Sequence, residues 1–347
     1  MEAGTTAEAG IRERPLWAML ALVAALGLLV GSYAIANTSI GWHLASGHFI
    51  LDHHAVPRTD PFSTTAEGTP WIDHEWGFQL ILAAIERLGG APLLVLTRAA
   101  LVAALAAMLL LVGARSGLSP PAAAVLAMLC LYGARIRFFL RPELATLLLA
   151  PAVVWIFLRR RDQGGRRWLL AIAALMALGA NLHAGILVVP PLLAGLLAAE
   201  SLQWLATRRG PQPLGSGALG LAVAVAAPLL NPSGWRLYLV PIEIARLVGL
   251  PHIPNPEWIS PSFSDVPPLY VALGAGLVLL ALAERRLAHW ALLVMAAALA
   301  LRYVRNVGLF FALLPIAISP ALASLPALGR DGAAARRPLW RAAAVAL

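Results

Sequence analysis

The chain alternates long apolar runs with short polar breaks. Runs at 16–36, 91–113, 119–134, 142–158, 168–182, 184–205, 217–231, 267–283, 287–301 and 307–325 carry almost no charge. A helix needs about 20 such residues to cross the hydrocarbon core, and a few fewer where the bilayer thins. The pattern predicts an all-α fold, a polytopic integral membrane helical bundle of about ten spans. A last apolar start at 339–347 is cut off by the chain end and predicts a truncated eleventh, after a cytoplasmic stretch from 326. The first run follows Arg12 and Arg14 and closes on Ala34-Ile35-Ala36, which resembles a leader cleavage site. It is too long for a signal core of roughly 7–15 residues. It is read as a retained first span behind a cytoplasmic tail, residues 1–15.

Two polar stretches have a period of their own. Residues 40–51 set Ile40, Leu44, Phe49 and Ile50 among polar neighbours, the pattern of a helix lying in the membrane interface, with Trp42 suited to headgroup depth. A second amphipathic stretch, 76–88, leads into the next run. Between them "VPRTDPFS" reads as an extended turn, because residues before proline avoid the helical region. Residues 37–90 are therefore expected to form one large loop, lid-like and resting on the membrane.

Composition narrows the class. Hydrophobic residues make up 60% of the chain and mean hydropathy is +0.78, more apolar surface than a soluble domain of 347 residues can hide. The net charge of +9 comes from 26 basic residues, all Arg. Place the N-terminus in the cytoplasm, and Arg12, Arg14, Arg115, Arg159, Arg160, Arg161, Arg166, Arg167, Arg208, Arg209, Arg285, Arg286, Arg330, Arg336, Arg337 and Arg341 all fall in cytoplasmic segments. These are 16 of the 26, as the positive-inside rule demands. No basic stripe with interleaved aromatics occurs, which argues against a nucleic-acid partner. The single cysteine, Cys130, lies in an apolar run, so neither a disulfide framework nor a thiolate metal site is available.

The opposite face collects the chemistry. Seven of the eight histidines and ten of the seventeen acids fall there, five of each within "GWHLASGHFILDHHAVPRTDPFSTTAEGTPWIDHEW" at 41–76. His43, His48, His53 and His54 miss the i,i+3 and i,i+4 spacing of a helical zinc pair. A divalent cation would need a tertiary fold that brings His74 and Glu75 back to them; solvated interfacial histidines are the simpler reading. Asp60, Asp73 and Glu75 sit in a segment bounded by proline, glycine and tryptophan, where a carboxylate could take a proton as general base. The competing reading is that Asp60 caps a turn and Glu75 pairs with an arginine. Arg135, Arg137 and Arg141 stand around the outer end of one run, and Arg302 and Arg305 around another, where the orientation rule disfavours them. A guanidinium fork there suits an anionic phosphate, or else pairs with Glu143, Glu257 or lipid headgroups. Asn181 and His183 end a helix, where they could bind hydroxyls or satisfy exposed backbone groups.

The strings "GWHLASGHFILDHHAVPRTDPFS" and "PWIDHEW", then "RPE", "NLHAG", "NPSGW", "EW" and "RYVRN" in that order, resemble bacterial membrane proteins of the GT-C glycosyltransferase superfamily. The similar group is the one related to dolichyl-phosphate-mannose protein mannosyltransferases, and the resemblance covers about residues 16–325. It implies a multi-pass enzyme of the bacterial inner membrane, among membrane lipids. Such an enzyme moves a sugar, with inversion, from a polyprenyl-phosphate donor to a glycan, lipid or protein acceptor at the periplasmic face. On that footing Asp60 or Glu75 is the catalytic base, and Arg135, Arg137, Arg141 and Arg305 hold the donor phosphate. His43, Asn181, His183 and Glu257 meet sugar or acceptor, and no metal is called for.

The resemblance departs at "IANTSIGWH", where Asn37 and Ser39 stand in place of the acidic residue expected just after the first helix. Asn cannot act as a base and an unassisted Ser is a poor one. Either Asp60 or Glu75 has taken the role, or the chain is a catalytically silent scaffold of the same fold. A transporter is the reading from another class. Its usual mark, an inverted repeat with midplane charges, is missing apart from Arg98.

Overall fold

The computed structural model describes residues 2–160, 162, 165–248 and 255–330, with side chains from Arg14 onward. The expected last span at 339–347 and His252 lie outside these residues. The described chain is helical. Its helices are α1 (Glu2–Gly31), α2 (Ser39–His53), α3 (Trp76–Arg115), α4 (Pro120–Ala134), α5 (Glu143–Leu158) and α6 (Arg167–Leu182), followed by α7 (Val189–Thr207), α8 (Leu214–Ala226), α9 (Val240–Val248), α10 (Pro267–Ala283), α11 (Leu287–Arg302) and α12 (Val307–Ala323). Each of the ten apolar runs coincides with a helix. Four helical stretches are long and apolar enough to cross a bilayer, and a fifth qualifies if Leu214–Leu230 and Gly234–Val248 count as one span bent by 109°. α5, α6, α10 and α11 are apolar but only 16 or 17 residues long.

Both interfacial stretches are helical, and the second runs on into an apolar one. α3 is two helices joined at Gly89 and Gly90. Gly90 sits at φ +60, a conformation that costs an L side chain and costs glycine little. α1 ends at Gly31, five residues before the expected 36. Leaving the helix there frees the carbonyl of Tyr33 to accept from the Arg98 guanidinium, which also stacks 3.6 Å over the Tyr33 ring. That contact is how an arginine inside an apolar helix is accommodated.

The chain divides into two units. The first comprises residues 1–31, 99–136 and 260–347 and is organised around α12, fourteen of whose seventeen residues are buried against α4, α10 and α11. The second comprises residues 32–98 and 137–259. In it α5 packs on α6 and α7, and α8 packs on α6 and α7 at glycines that admit bulky neighbours: Gly217 faces Leu197 and Gly220 faces Trp168, while Gly179 of α6 faces Ile186 in the turn that follows it.

α2 presents His43, Ser46, Gly47 and Ile50, one face at i, i+3, i+4 and i+7, to the rest of the second unit. Gly47 lies so near α3 that a Cβ there would stand 2.1 Å from the Gln79 carbonyl oxygen. Gly47→Ala is therefore expected to lift α2 from its seat at a cost of about 1–3 kcal/mol. Limited proteolysis at the exposed Arg58 should then speed up by about fivefold or more. Unchanged cleavage would mean that α2 is not seated through this glycine.

Candidate functional site

Asp73, His74 and Glu75 form the turn that enters α3, and three contacts fix its direction. The Asp73 carboxylate accepts from the Glu75 backbone N–H at 3.4 Å. The Trp76 indole N–H donates to Asn181 Oδ1 at 3.0 Å, tying the start of α3 to the end of α6. Asn231 Nδ2 donates to the Ala180 carbonyl at 2.9 Å and reaches the same Asn181 oxygen at 3.4 Å. Asn181 in turn donates to the Ala177 carbonyl at 2.8 Å. Its amide is thus engaged within the protein and positions Trp76.

The turn delivers Glu75 into a ring of imidazoles. His43 Nδ1 is 3.5 Å from one carboxylate oxygen; His74 Nε2 and His183 Nε2 are 3.7 and 3.8 Å from the other. His43 comes from the buried stripe of α2. His183 sits in extended backbone where α6 ends, and its Nδ1 is hydrogen-bonded to Thr146 Oγ1 at 2.8 Å, which turns Nε2 toward Glu75. Burial, and then the nearby charges of Arg141 and His74, push His43 down to about 4. It is neutral at pH 7, so its approach to Glu75 is a dipolar contact and not an ion pair. The separations are long for direct hydrogen bonds. Among the described residues no group of three or more His, Cys, Asp or Glu side chains is placed to hold a metal ion.

A second cluster lies in the same unit. Arg137 is 3% exposed and grips Glu143 with both arms of its fork, Nε to Oε1 at 2.9 Å and Nη2 to Oε2 at 2.5 Å, while Nη2 also reaches Glu257 at 3.2 Å. Arg141 holds the other Glu257 oxygen through Nη1 and donates from Nε to Ser39 Oγ at 2.9 Å. Asn37 Nδ2 donates to the same Ser39 oxygen at 3.2 Å. Burial raises the Glu257 carboxyl, but the two guanidiniums outweigh it and hold it below its ordinary value. Two positive and two negative groups balance here.

Of the candidate site residues, the structure brings together Glu75, His43 and His183 in one cluster and Arg137, Arg141 and Glu257 in the other; Asn181 is the anchor beside the first. Asp60 is placed differently. Its carboxylate accepts from the backbone N–H groups of Phe62 (2.8 Å) and Ser63 (3.0 Å), the turn-capping role weighed against the catalytic one. Arg135 and Arg305 belong to the first unit. Arg135 lies 3.8 Å over the Tyr132 ring and donates to that residue's carbonyl at 2.7 Å. Arg305 sits in the short turn Val304–Asn306.

Thr146 joins the first cluster with no sequence signal to single it out, whereas Ser39, which stands where an acid was expected after the first helix, joins the second. Asp73 had one, as the first residue of "DHE". It is 3% exposed, and its Oδ2 has no hydrogen-bond partner. Burial lifts its carboxyl from the ordinary 3.8 to about 6, against the pull of the Glu75 N–H and with the push of the Glu75 charge. The folded state therefore holds this proton more tightly than the unfolded chain. The stabilisation is fully present below pH 3.8 and is lost as pH rises through about 6. Asp73→Asn keeps the shape without the buried charge. It is expected to be more stable than wild type at pH 7.5 by about 3 kcal/mol. The advantage should vanish by pH 4, read as loss of monodisperse protein after heating at each pH. An equal advantage at both pH values would show that the charge of Asp73 is not what costs.

The fold and this cluster define an all-helical membrane protein with ionisable groups gathered in its second unit. No protein-family model matches the chain, and no curated protein matches it.

Proposed function

We propose that the protein is an integral-membrane glycosyltransferase of the GT-C kind, transferring a sugar from a polyprenyl-phosphate donor to an acceptor at the periplasmic face of the bacterial inner membrane. The observation that carries this reading is the meeting within one unit of a carboxylate ringed by three imidazoles and a partly exposed guanidinium. On this reading the ten apolar helices are ten spans, residues 37–90 form the first periplasmic loop, and the N-terminus is cytoplasmic. The distribution of charge along α5 to α7 supports the orientation. Glu75, His183 and Arg141 gather at one end of these helices. Arg159, Arg160, Arg166, Arg167, Arg208 and Arg209 gather at the other, where Arg160 is buried against Glu200.

The chemistry follows from the groups. Glu75 takes the hydroxyl proton as the acceptor oxygen attacks the anomeric carbon. The bond from that carbon to the phosphate oxygen breaks, its electron pair leaves with the polyprenyl phosphate, and the proton stays on Glu75. Displacement from the face opposite the leaving group inverts the sugar. Arg141, its side chain 23% exposed, is the guanidinium able to turn from Glu257 to the phosphate, while Arg137 stays between its two glutamates.

The test is transfer in proteoliposomes supplied with radiolabelled polyprenyl-phosphate sugars. Turnover that depends on Glu75 supports the reading. A broad donor panel left unconsumed overturns it. One observation favours a second reading, a silent carrier-binding relative: Asn37, where the similar enzymes carry an acid, is bonded to Ser39 and holds no charge to donate or accept protons. Donor binding that depends on Arg141 without any turnover would select it.

A further inference from the structure

Four aromatic side chains from separate parts of the opening loop converge beside α2. Trp42 and Phe49 lie two turns apart on the helix. A hairpin-like turn then folds back, held by Asp60 N–H to the Thr69 carbonyl and Trp71 N–H to the Arg58 carbonyl, both 2.9 Å. It lays Phe62 and Trp71 on them. Trp42 meets Phe62 at 5.2 Å and Trp71 at 5.5 Å, and Phe62 meets Trp71 at 6.3 Å, all at 62–81° between ring planes.

This cluster is not core. Phe78, Phe138, Phe157 and Phe310 are exposed by 5% or less, whereas Trp42 is 39% exposed and its three neighbours are half-buried. Rings set edge to face leave other faces uncovered. Trp76 and Trp290 donate their indole N–H groups within the protein; among the described residues those of Trp42 and Trp71 have no such partner. Beside them stands Asp60. Hydrogen bonds from Ser63 and the Phe62 backbone hold its carboxyl below the ordinary range, so it is ionised throughout the neutral range.

Partly exposed aromatic rings, unengaged N–H donors and a fixed carboxylate suit a sugar ring, whose C–H groups stack on an aromatic face while its hydroxyls bond at the rim. A lipid surface is the rival occupant. It fits worse, because Trp42 is the one exposed large apolar side chain described between 37 and 75, and the Asp60 carboxylate is fixed beside Phe62. By contrast, Leu229, Leu230, Trp235, Ile242 and Leu247 form a broadly exposed apolar set elsewhere in the unit. The cluster is also joined to the catalytic candidates by the chain itself: Trp42 precedes His43, and Trp71 lies four residues before Glu75.

We infer that Trp42, Phe62 and Trp71, with Asp60 at their rim, form a carbohydrate-binding platform, and that the acceptor is a glycan. The inference rests on the glycosyltransferase reading for its role, but its test does not. Full-length protein in nanodiscs is titrated with mannotetraose, chitotetraose and cellotetraose up to about 10 mM, the range of weak single-ring contacts, and read by saturation-transfer NMR. At least one probe is expected to bind. Trp42→Ala and Trp71→Ala should each weaken it tenfold or more, and their Phe variants less. The Phe variants guard against loss of fold. No bound probe, or binding indifferent to both tryptophans, overturns the platform. So does quenching by brominated lipid that disappears in the Trp42→Phe/Trp71→Phe variant, which makes the cluster a membrane anchor. Binding without sugar transfer keeps the platform and sinks the transferase; transfer to a lipid or peptide unaffected by the Ala variants does the reverse.

Discussion

Glu75→Gln is expected to lower the rate of sugar transfer roughly 10²–10⁴-fold, the range over which a positioned base acts. Gln keeps the size and most polar contacts of the side chain but cannot accept the proton. Donor binding should be unchanged, because the guanidinium cluster is built from Ser39, Arg137, Arg141, Glu143 and Glu257 and makes no use of Glu75. Asp60→Asn gives the contrasting result: a higher acceptor KM at unaltered saturating rate, since Asp60 caps a turn beside the aromatic cluster. Single-turnover transfer at saturating acceptor separates the two. A Glu75→Gln rate within tenfold of wild type removes Glu75 as the base.

Arg137→Ala should be the most destabilising change in the second unit. The side chain is 3% exposed and forks onto Glu143 while touching Glu257, so its loss strands two carboxylates on one remaining guanidinium. Breaking such a buried pair costs about 3–5 kcal/mol. Arg137→Lys keeps the charge but not the fork and should lose part of that. Arg137→Met/Glu143→Met, which removes both charges and leaves Glu257 to Arg141, should recover most of the loss. Fraction of monodisperse protein after graded heating is the measurement. A double variant no better than Arg137→Ala would mean that packing, not charge balance, is at stake.

The fold was legible because lipid imposes one rule on every span. The apolar runs became helices, and even the break between 76–88 and the following run was visible as Gly89-Gly90. What the pattern could not show were local trades. Residues 33–36 continue the apolar run, yet they leave α1, and Tyr33 serves a buried arginine on α3. The 109° bend between Leu214–Leu230 and Gly234–Val248 follows "NPSG", which says turn but not how sharp. In the site, "DHEW" advertised Glu75, but its neighbours His43 and His183 arrive from helices remote in sequence, and nothing local marks Thr146 as the residue that turns His183. Asp60 carried the strongest turn context of the three carboxylates, and the structure gives it that turn. Arg137 and Arg141 were recognisable as out of place by charge, with Glu143 and Glu257 as one of their possible partners, and the structure shows those pairs; which arginine forks onto which glutamate depends on packing.

Glu257 has a consequence for traffic through the site. At rest it occupies both guanidiniums with the geometry an incoming phosphate would want, a resident decoy tethered to the same chain. Chloride and inorganic phosphate from the surrounding compartment meet arginines that are already satisfied, and have no membrane-held tail to raise their local concentration. On the proposed reading, a lipid-linked phosphate would have that advantage, held in the membrane plane near Arg141, whose side chain is 23% exposed. The glutamate would thus act as a filter for anchored over free anions, and the site would select its cargo by dimensionality as much as by charge.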